Sequence, residues 1–163
     1  MSIVSNIMPI SELYKVGQLD LLKIVYGCIV IPDDVLQELE QAKTLPELGE
    51  AVVKADCIVV RSVAYPQNIQ SLINRYAHIG RGEAAAIVLA QELAAKRIII
   101  DDKKARQVAR AERLPLIGTV GVVLLAYRLR RITAQQAQDS LDRLYAGTAY
   151  ISAELYRSAK SQL

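Results

Sequence analysis

Short apolar runs alternate with longer segments of helical periodicity along the whole chain. Residues 2–6 (SIVSN), 28–31 (CIVI), 57–62 (CIVVRS), 97–101 (RIIID) and 115–118 (PLIG) read as five strands, each brief and rich in Ile and Val. After the first, a helical stretch opens near Pro9 and carries apolar residues at Ile10, Leu13, Leu19, Leu21, Leu22 and Val25. Gly17 is expected to divide it in two. Pro32 suits the first turn of the helix DDVLQELEQA, and PELGEAVVKA begins another near Pro46. Residues 63–68 read as loop and SLINRYAH, 71–78, as helix. Gly80 and Gly82 precede EAAAIVLAQELAAK, whose Ala and Leu content makes it a strong helix former. DKKARQVARAERL and TVGVVLLAYRLRR follow as helices, and two more close the chain, with Thr133 and Ser152 as their expected N-caps.

Continuous apolar strands separated by helices mean a parallel sheet covered on both faces. The expected fold is therefore a doubly wound, Rossmann-like α/β sheet of five mostly parallel strands with additional C-terminal helices. No repeat, low-complexity tract or Pro/Ser-rich linker interrupts residues 1–163, a length suited to one domain. In such folds ligands bind beyond the carboxyl ends of the strands, where strand order reverses. The residues following each strand thus become the candidates for chemistry.

Composition narrows the picture only a little. Hydrophobic residues make up 52% of the chain, with no Trp and no Phe, so the core must be aliphatic. A net charge of +3 is too mild to identify a nucleic-acid binder without a local concentration of charge. Cys28 and Cys57 adjoin strands and read as two small buried thiols in preference to a metal or redox pair. No signal-peptide pattern or membrane-length apolar run stands in the sequence, and a cytoplasmic setting is the default expectation.

The strand ends carry the chemistry. Asn6 closes the first strand, and Asp33 and Asp34 follow the second, with Glu38 one turn further on. Glu83 opens the helix after Gly82, and Asp101 and Asp102 close the fourth strand. Each has an ordinary reading. Acids complement a helix N-terminus, which suffices for Asp33 and Asp34; Glu38 could be a solvated face residue; one of Asp101 and Asp102 is expected to be an N-cap. Gathered at one rim, however, carboxylates repel each other unless a cation neutralises them. Hard oxygen ligands suit Mg2+ or Mn2+, which can orient a phosphate and activate water.

The ordered set IVSN…VGQLDLL, IPDDVLQEL, GRGEAAAIVLA, IIIDDKKARQVA, LIGTVGVVLLA and ISAELY resembles the PIN-domain superfamily, in particular a compact bacterial branch related to toxin–antitoxin ribonucleases. The resemblance spans nearly the whole chain. It implies a single PIN-like domain over 1–163 and a Mg2+- or Mn2+-dependent endoribonuclease. It also implies pairing with a small antitoxin protein and a homodimer. The family's acidic quartet falls on Asn6, Glu38, Glu83 and the Asp101–Asp102 pair. Which member of that pair is the ligand stays open, with Asp102 preferred. There are two departures from the family: Asn6 stands where Asp is usual, and Ile7 and Met8 follow it where hydroxyl residues are common. Both bear on catalysis more than on fold, and Asn6 motivates a second reading, a PIN fold kept as a nucleic-acid-binding or regulatory module without catalysis.

A third reading comes from Gly80-Arg-Gly82-Glu-Ala-Ala85, which fits the G-x-G-x-x-A dinucleotide fingerprint, with Asp101 near the expected acid spacing. The preceding INRYAHI is not a convincing strand, so this reading ranks below the nuclease. Finally, Lys103, Arg106, Arg110 and Arg113 recur at steps of three, four and three. On a helix they would form one basic stripe beside Asp102, suited to RNA phosphates, with Ala105, Val108 and Ala109 turned to the sheet. His78, the only histidine, reads as a surface residue, and the eight tyrosines as core or rim packing.

Overall fold

The computed structural model describes residues 1–42, 46–147 and 150–163. Five parallel strands form one sheet in the order β3-β2-β1-β4-β5. They are β1 Ile3–Ser5, β2 Ile29–Pro32, β3 Ile58–Arg61, β4 Arg97–Ile99 and β5 Leu116–Ile117. The chain steps outward from β1 through β2 to β3, then crosses back to place β4 on the opposite side of β1. That reversal at the central strand is the doubly wound topology expected from the alternating pattern.

Alternation of side chains along the strands divides the core. Ile3, Ile29, Ile31 and Ile99 pack on one face; Val4, Val30 and Ile98 pack on the other. This is the two-residue period of a pleated strand, with both faces apolar because both are covered. The first face receives α1 Ile7–Lys15, α2 Asp20–Tyr26, α3 Asp33–Gln41, α4 Pro46–Lys54, α8 Thr119–Arg128, α9 Ala134–Gly147 and α10 Ala153–Lys160. The second receives α5 Gln67–Arg75, α6 Arg81–Glu92 and α7 Lys103–Ala111. Helix α6 is buried along most of its length, from Gly82 to Ala90 except for Glu83, which explains its run of small and aliphatic residues. No helix among the described residues is long and apolar enough to cross a membrane.

Gly17 divides α1 from α2 at a positive φ of 70°, as the sequence suggests. Thr133 and Ser152 cap α9 and α10 by accepting from Gln136 N and Leu155 N, each at 3.1 Å. Several local expectations are corrected. Pro32 ends β2 in extended conformation and precedes α3 instead of lying in its first turn. The helix expected at 71–78 runs from Gln67 to Arg75, since Tyr76 turns to extended backbone and His78 takes φ 82°. Cys57 is buried, but Cys28 is exposed because β2 begins one residue after it. The tyrosines lie at the rim of the core or outside it: Tyr14, Tyr26, Tyr127 and Tyr156 pack partly buried, while Tyr65 and Tyr150 are exposed.

Candidate active site

Asn6 follows β1, Asp33 and Asp34 open α3 directly after β2 with Glu38 further along it, Asp101 and Asp102 follow β4, and Glu83 lies in the first turn of α6, which follows α5. Asn6 leaves β1, the strand at which the order reverses, and its backbone N–H donates to Ile99 O at 3.1 Å, continuing the β1–β4 ladder. Its side chain is buried, and neither amide atom has a hydrogen-bond partner among the described residues. A buried, unpaired amide costs free energy, so one is rare without a reason.

Glu38 lies on α3 and reaches across to α6, where its Oε1 accepts from Gly82 N at 3.0 Å. The close approach requires glycine: a Cβ at Gly82 would sit 2.6 Å from the Glu38 carboxyl carbon. Glu83 turns back to accept from Gly80 N at 2.9 Å, half of a capping box, since Gly80 has no side chain to reciprocate. Burial raises the proton affinity of Glu38, the Gly82 bond opposes this, and the charges of Glu83 and Asp34 add to it. Burial likewise raises that of Glu83, the Gly80 bond opposes, and Asp102 adds. The acids of α3, of α6 and of the β4 end therefore feel one another's charge.

Asp101 and Asp102 separate in role. Asp101 accepts from Thr119 N at 2.7 Å and from the Thr119 hydroxyl, so both its oxygens are held by the N-terminus of α8. Burial raises its proton affinity against those bonds and against the nearby Arg106. Asp102 is the N-cap of α7, accepting from Ala105 N at 2.9 Å through one oxygen. Among the described residues the second oxygens of Asp102, Glu38 and Glu83 have no hydrogen-bond partner.

Asp33 and Asp34 take the ordinary reading. Asp33 accepts from Asp34 N and from the Ser62 hydroxyl, and Asp34 pairs with Arg81 at 2.8 Å. The basic stripe is three residues long, not four. Lys103, Arg106 and Arg110 lie on α7, but Arg113 stands beyond it at φ 59°, where Leu114 N closes a turn onto Ala109 O. Ala105, Val108 and Ala109 are buried against the sheet. Arg106 is half-buried and donates to Ile100 O at 2.8 Å; Lys103 and Arg110 are exposed. The dinucleotide reading is corrected: the element directly before Gly80 is the helix α5, not a strand, and the space beside Gly82 is taken by Glu38.

Sequence reasoning passed over Thr119, Arg81 and Gly118, and gave Gly82 no part in receiving Glu38. A Cβ at Gly118 would meet Arg106 Nη1 and Asp101 Oδ1, each at 2.9 Å. The Gly118–Thr119 step follows a strand as directly as Asp101 does, so the strand-end rule could have flagged it.

In kind, the donor set suits a hard divalent cation: carboxylate oxygens that raise each other's proton affinity, beside a buried amide lacking partners. In spacing, no three acidic, His or Cys side chains among the described residues stand close enough to enclose an ion without adjustment. Backbone N–H groups hold Glu38, Glu83 and Asp102 by one oxygen each.

A family model described as a PIN domain matches residues 2–163. No curated protein and no solved structure matches the chain.

Proposed function

This chain belongs to the PIN-domain family, and from that premise we propose that its rim acids hold Mg2+ or Mn2+ and direct the hydrolysis of RNA phosphodiesters. Membership suggests nuclease-like function, and PIN domains typically use divalent metals. Two observations support the reading: the buried Asn6 amide, unpaired where strand order reverses, and the acids of α3, α6 and the β4 end, which oppose one another's ionisation. A cation relieves that mutual repulsion, and it would lower the pKa of a bound water and neutralise phosphate charge.

The protein's own contributions follow from the bonds at the rim. Glu38, Glu83 and Asp102 would ligate through the oxygens left without partners, and Asn6 through its amide oxygen. Asp101 is the less suited member of its pair, because Thr119 engages both its oxygens. It would instead fix the start of α8 beside the site. Lys103 and Arg110 would meet the RNA backbone from α7, with Arg106 holding the Ile100 carbonyl at the β4 end. Arg113 would add a contact only beyond the helix. A small antitoxin and a second copy of the chain remain the partners proposed from the resemblance, as does a single domain over 1–163.

The alternative of a binding module without turnover is favoured by one specific feature, the missing charge at Asn6. Cleavage of a structured RNA with Mn2+ separates the two. The nuclease reading expects divalent-dependent endonucleolytic products, loss of activity in Asp101→Asn/Asp102→Asn, and equal or higher activity in Asn6→Asp. RNA that binds but survives with wild type and becomes cleavable only in Asn6→Asp would establish the binding module.

A further inference from the structure

Another polar group is buried without a full set of partners, in the wall of a cavity that Asp101 and Thr119 also line. Glu12, on α1, is 4% exposed, and its Oε2 has no hydrogen-bond partner among the described residues. Its Oε1 meets Lys15 at 3.1 Å, but the Lys15 side chain is 42% exposed and engages only that one oxygen. Glu12 lines a cavity of about 410 Å3 between the N-terminal half of α8 and the C-terminal helices. Its walls are mainly apolar, formed by Leu116, Val120, Leu124, Leu144 and Ile151 among others. A pocket of this size, apolar with a few converging polar groups, is what small-molecule sites look like.

The other charged groups of the lining are already engaged. Asp101 is held by Thr119, and Arg106 donates to the Ile100 carbonyl. The unmet need is therefore a hydrogen-bond donor, preferably cationic, at Glu12 Oε2. A buried carboxylate oxygen without a donor is costly, and a cation supplies both charge and hydrogen bond. The space beyond it calls for apolar bulk.

We propose that this cavity binds a small amphipathic amine, its ammonium paired with Glu12 and its apolar body packed between α8 and α9. The cavity shares Asp101 and Arg106 with the rim, but the proposal uses neither the oxygens assigned to the cation nor RNA, and its test reads amine binding alone.

Calorimetric titration of the full chain with 2-phenylethylamine, 2-phenylethanol and phenylacetate tests it. Saturable binding of the amine is expected, with the alcohol about tenfold or more weaker and the acid weaker still. The net charge of +3 would favour the acid in any nonspecific association, so the predicted order runs against bulk charge. Glu12→Gln should bring amine and alcohol to similar affinity. Leu155→Trp, at a 44% exposed position of the lining, should close the cavity and weaken both without disturbing the core. Equal affinity of amine and alcohol for wild type would overturn the proposal. So would an amine preference that persists in Glu12→Gln, binding unaffected by Leu155→Trp, or no saturable binding of the amine at millimolar concentration. Should Glu12→Gln fail to fold, the ligand series on wild type and Leu155→Trp decide.

Discussion

A methyl group at Gly82 would overlap the end of the Glu38 side chain, not backbone, so the clash falls on a flexible carboxylate. Gly82→Ala should therefore fold but displace Glu38 from the rim. The variant should keep most of its melting temperature and lose most of the stabilisation by Mn2+, a split readable by thermal melts with and without metal. Glu83→Gln should also weaken that stabilisation, since it removes charge while keeping the acceptor for Gly80 N; equal Mn2+ shifts in wild type and mutant would count against Glu83 as a ligand. The same two acids set a pH dependence. Burial raises both folded-state proton affinities above the unfolded value, so just above the ordinary glutamate pKa the folded state binds more protons than the unfolded one. Their contribution then destabilises as pH rises through that window. In chelator, Glu38→Gln/Glu83→Gln should lose less stability than wild type between mildly acidic and neutral pH, as measured by urea denaturation.

At the scale of elements, helix ends show what the pattern of residues leaves hidden. Gly17 announces a break, and a positive φ duly ends α1 there. Ala94, Arg113 and Arg130 adopt the same left-handed turn after α6, α7 and α8 without glycine, at φ 45°, 59° and 56°. In each, the following N–H reaches back to close the turn, as Ala95 N does to Ala90 O at 2.8 Å. Nothing in the residue types signals these turns, which is why the basic stripe reads as one residue too long. Left-handed backbone is costly for a residue with a Cβ, so Ala94→Gly, at an exposed position, should stabilise the protein by about 1 kcal/mol. Denaturant titration checks the sign. The strands and buried helices were legible because burial on two faces demands unbroken apolar runs, which local composition displays. The extent of α5 was not, since its boundaries depend on where Tyr76 leaves the helix to meet Glu112 at 2.8 Å.

Across the whole molecule, parallel strands in a reversed order carry residues from distant segments to one rim, and that much follows from sequence. Asn6, Glu38, Asp101 and Asp102 could be named because they stand after strands or on the helix that follows one, whereas Glu83 could be named from its place at the start of a helix after Gly82. Their partners could not. The bonds from Thr119 to Asp101, from Arg81 to Asp34 and from Gly82 to Glu38 join positions far apart in the chain, and only packing brings them within reach. The basic helix α7 stands beside that rim, with Lys103 and Arg110 exposed. Lys103→Ala/Arg110→Ala should weaken binding to unrelated RNAs alike and flatten the log–log salt dependence by about one unit per lost contact. An unchanged slope would mean that α7 faces away from RNA. The central claim concerns the cation, and a crystal grown with Mn2+ tests it most directly through anomalous scattering. A manganese peak is expected at the rim, within ligating distance of oxygens from Asn6, Glu38, Glu83 and Asp102. No peak at saturating Mn2+, or one that none of these four residues touches, would contradict the claim.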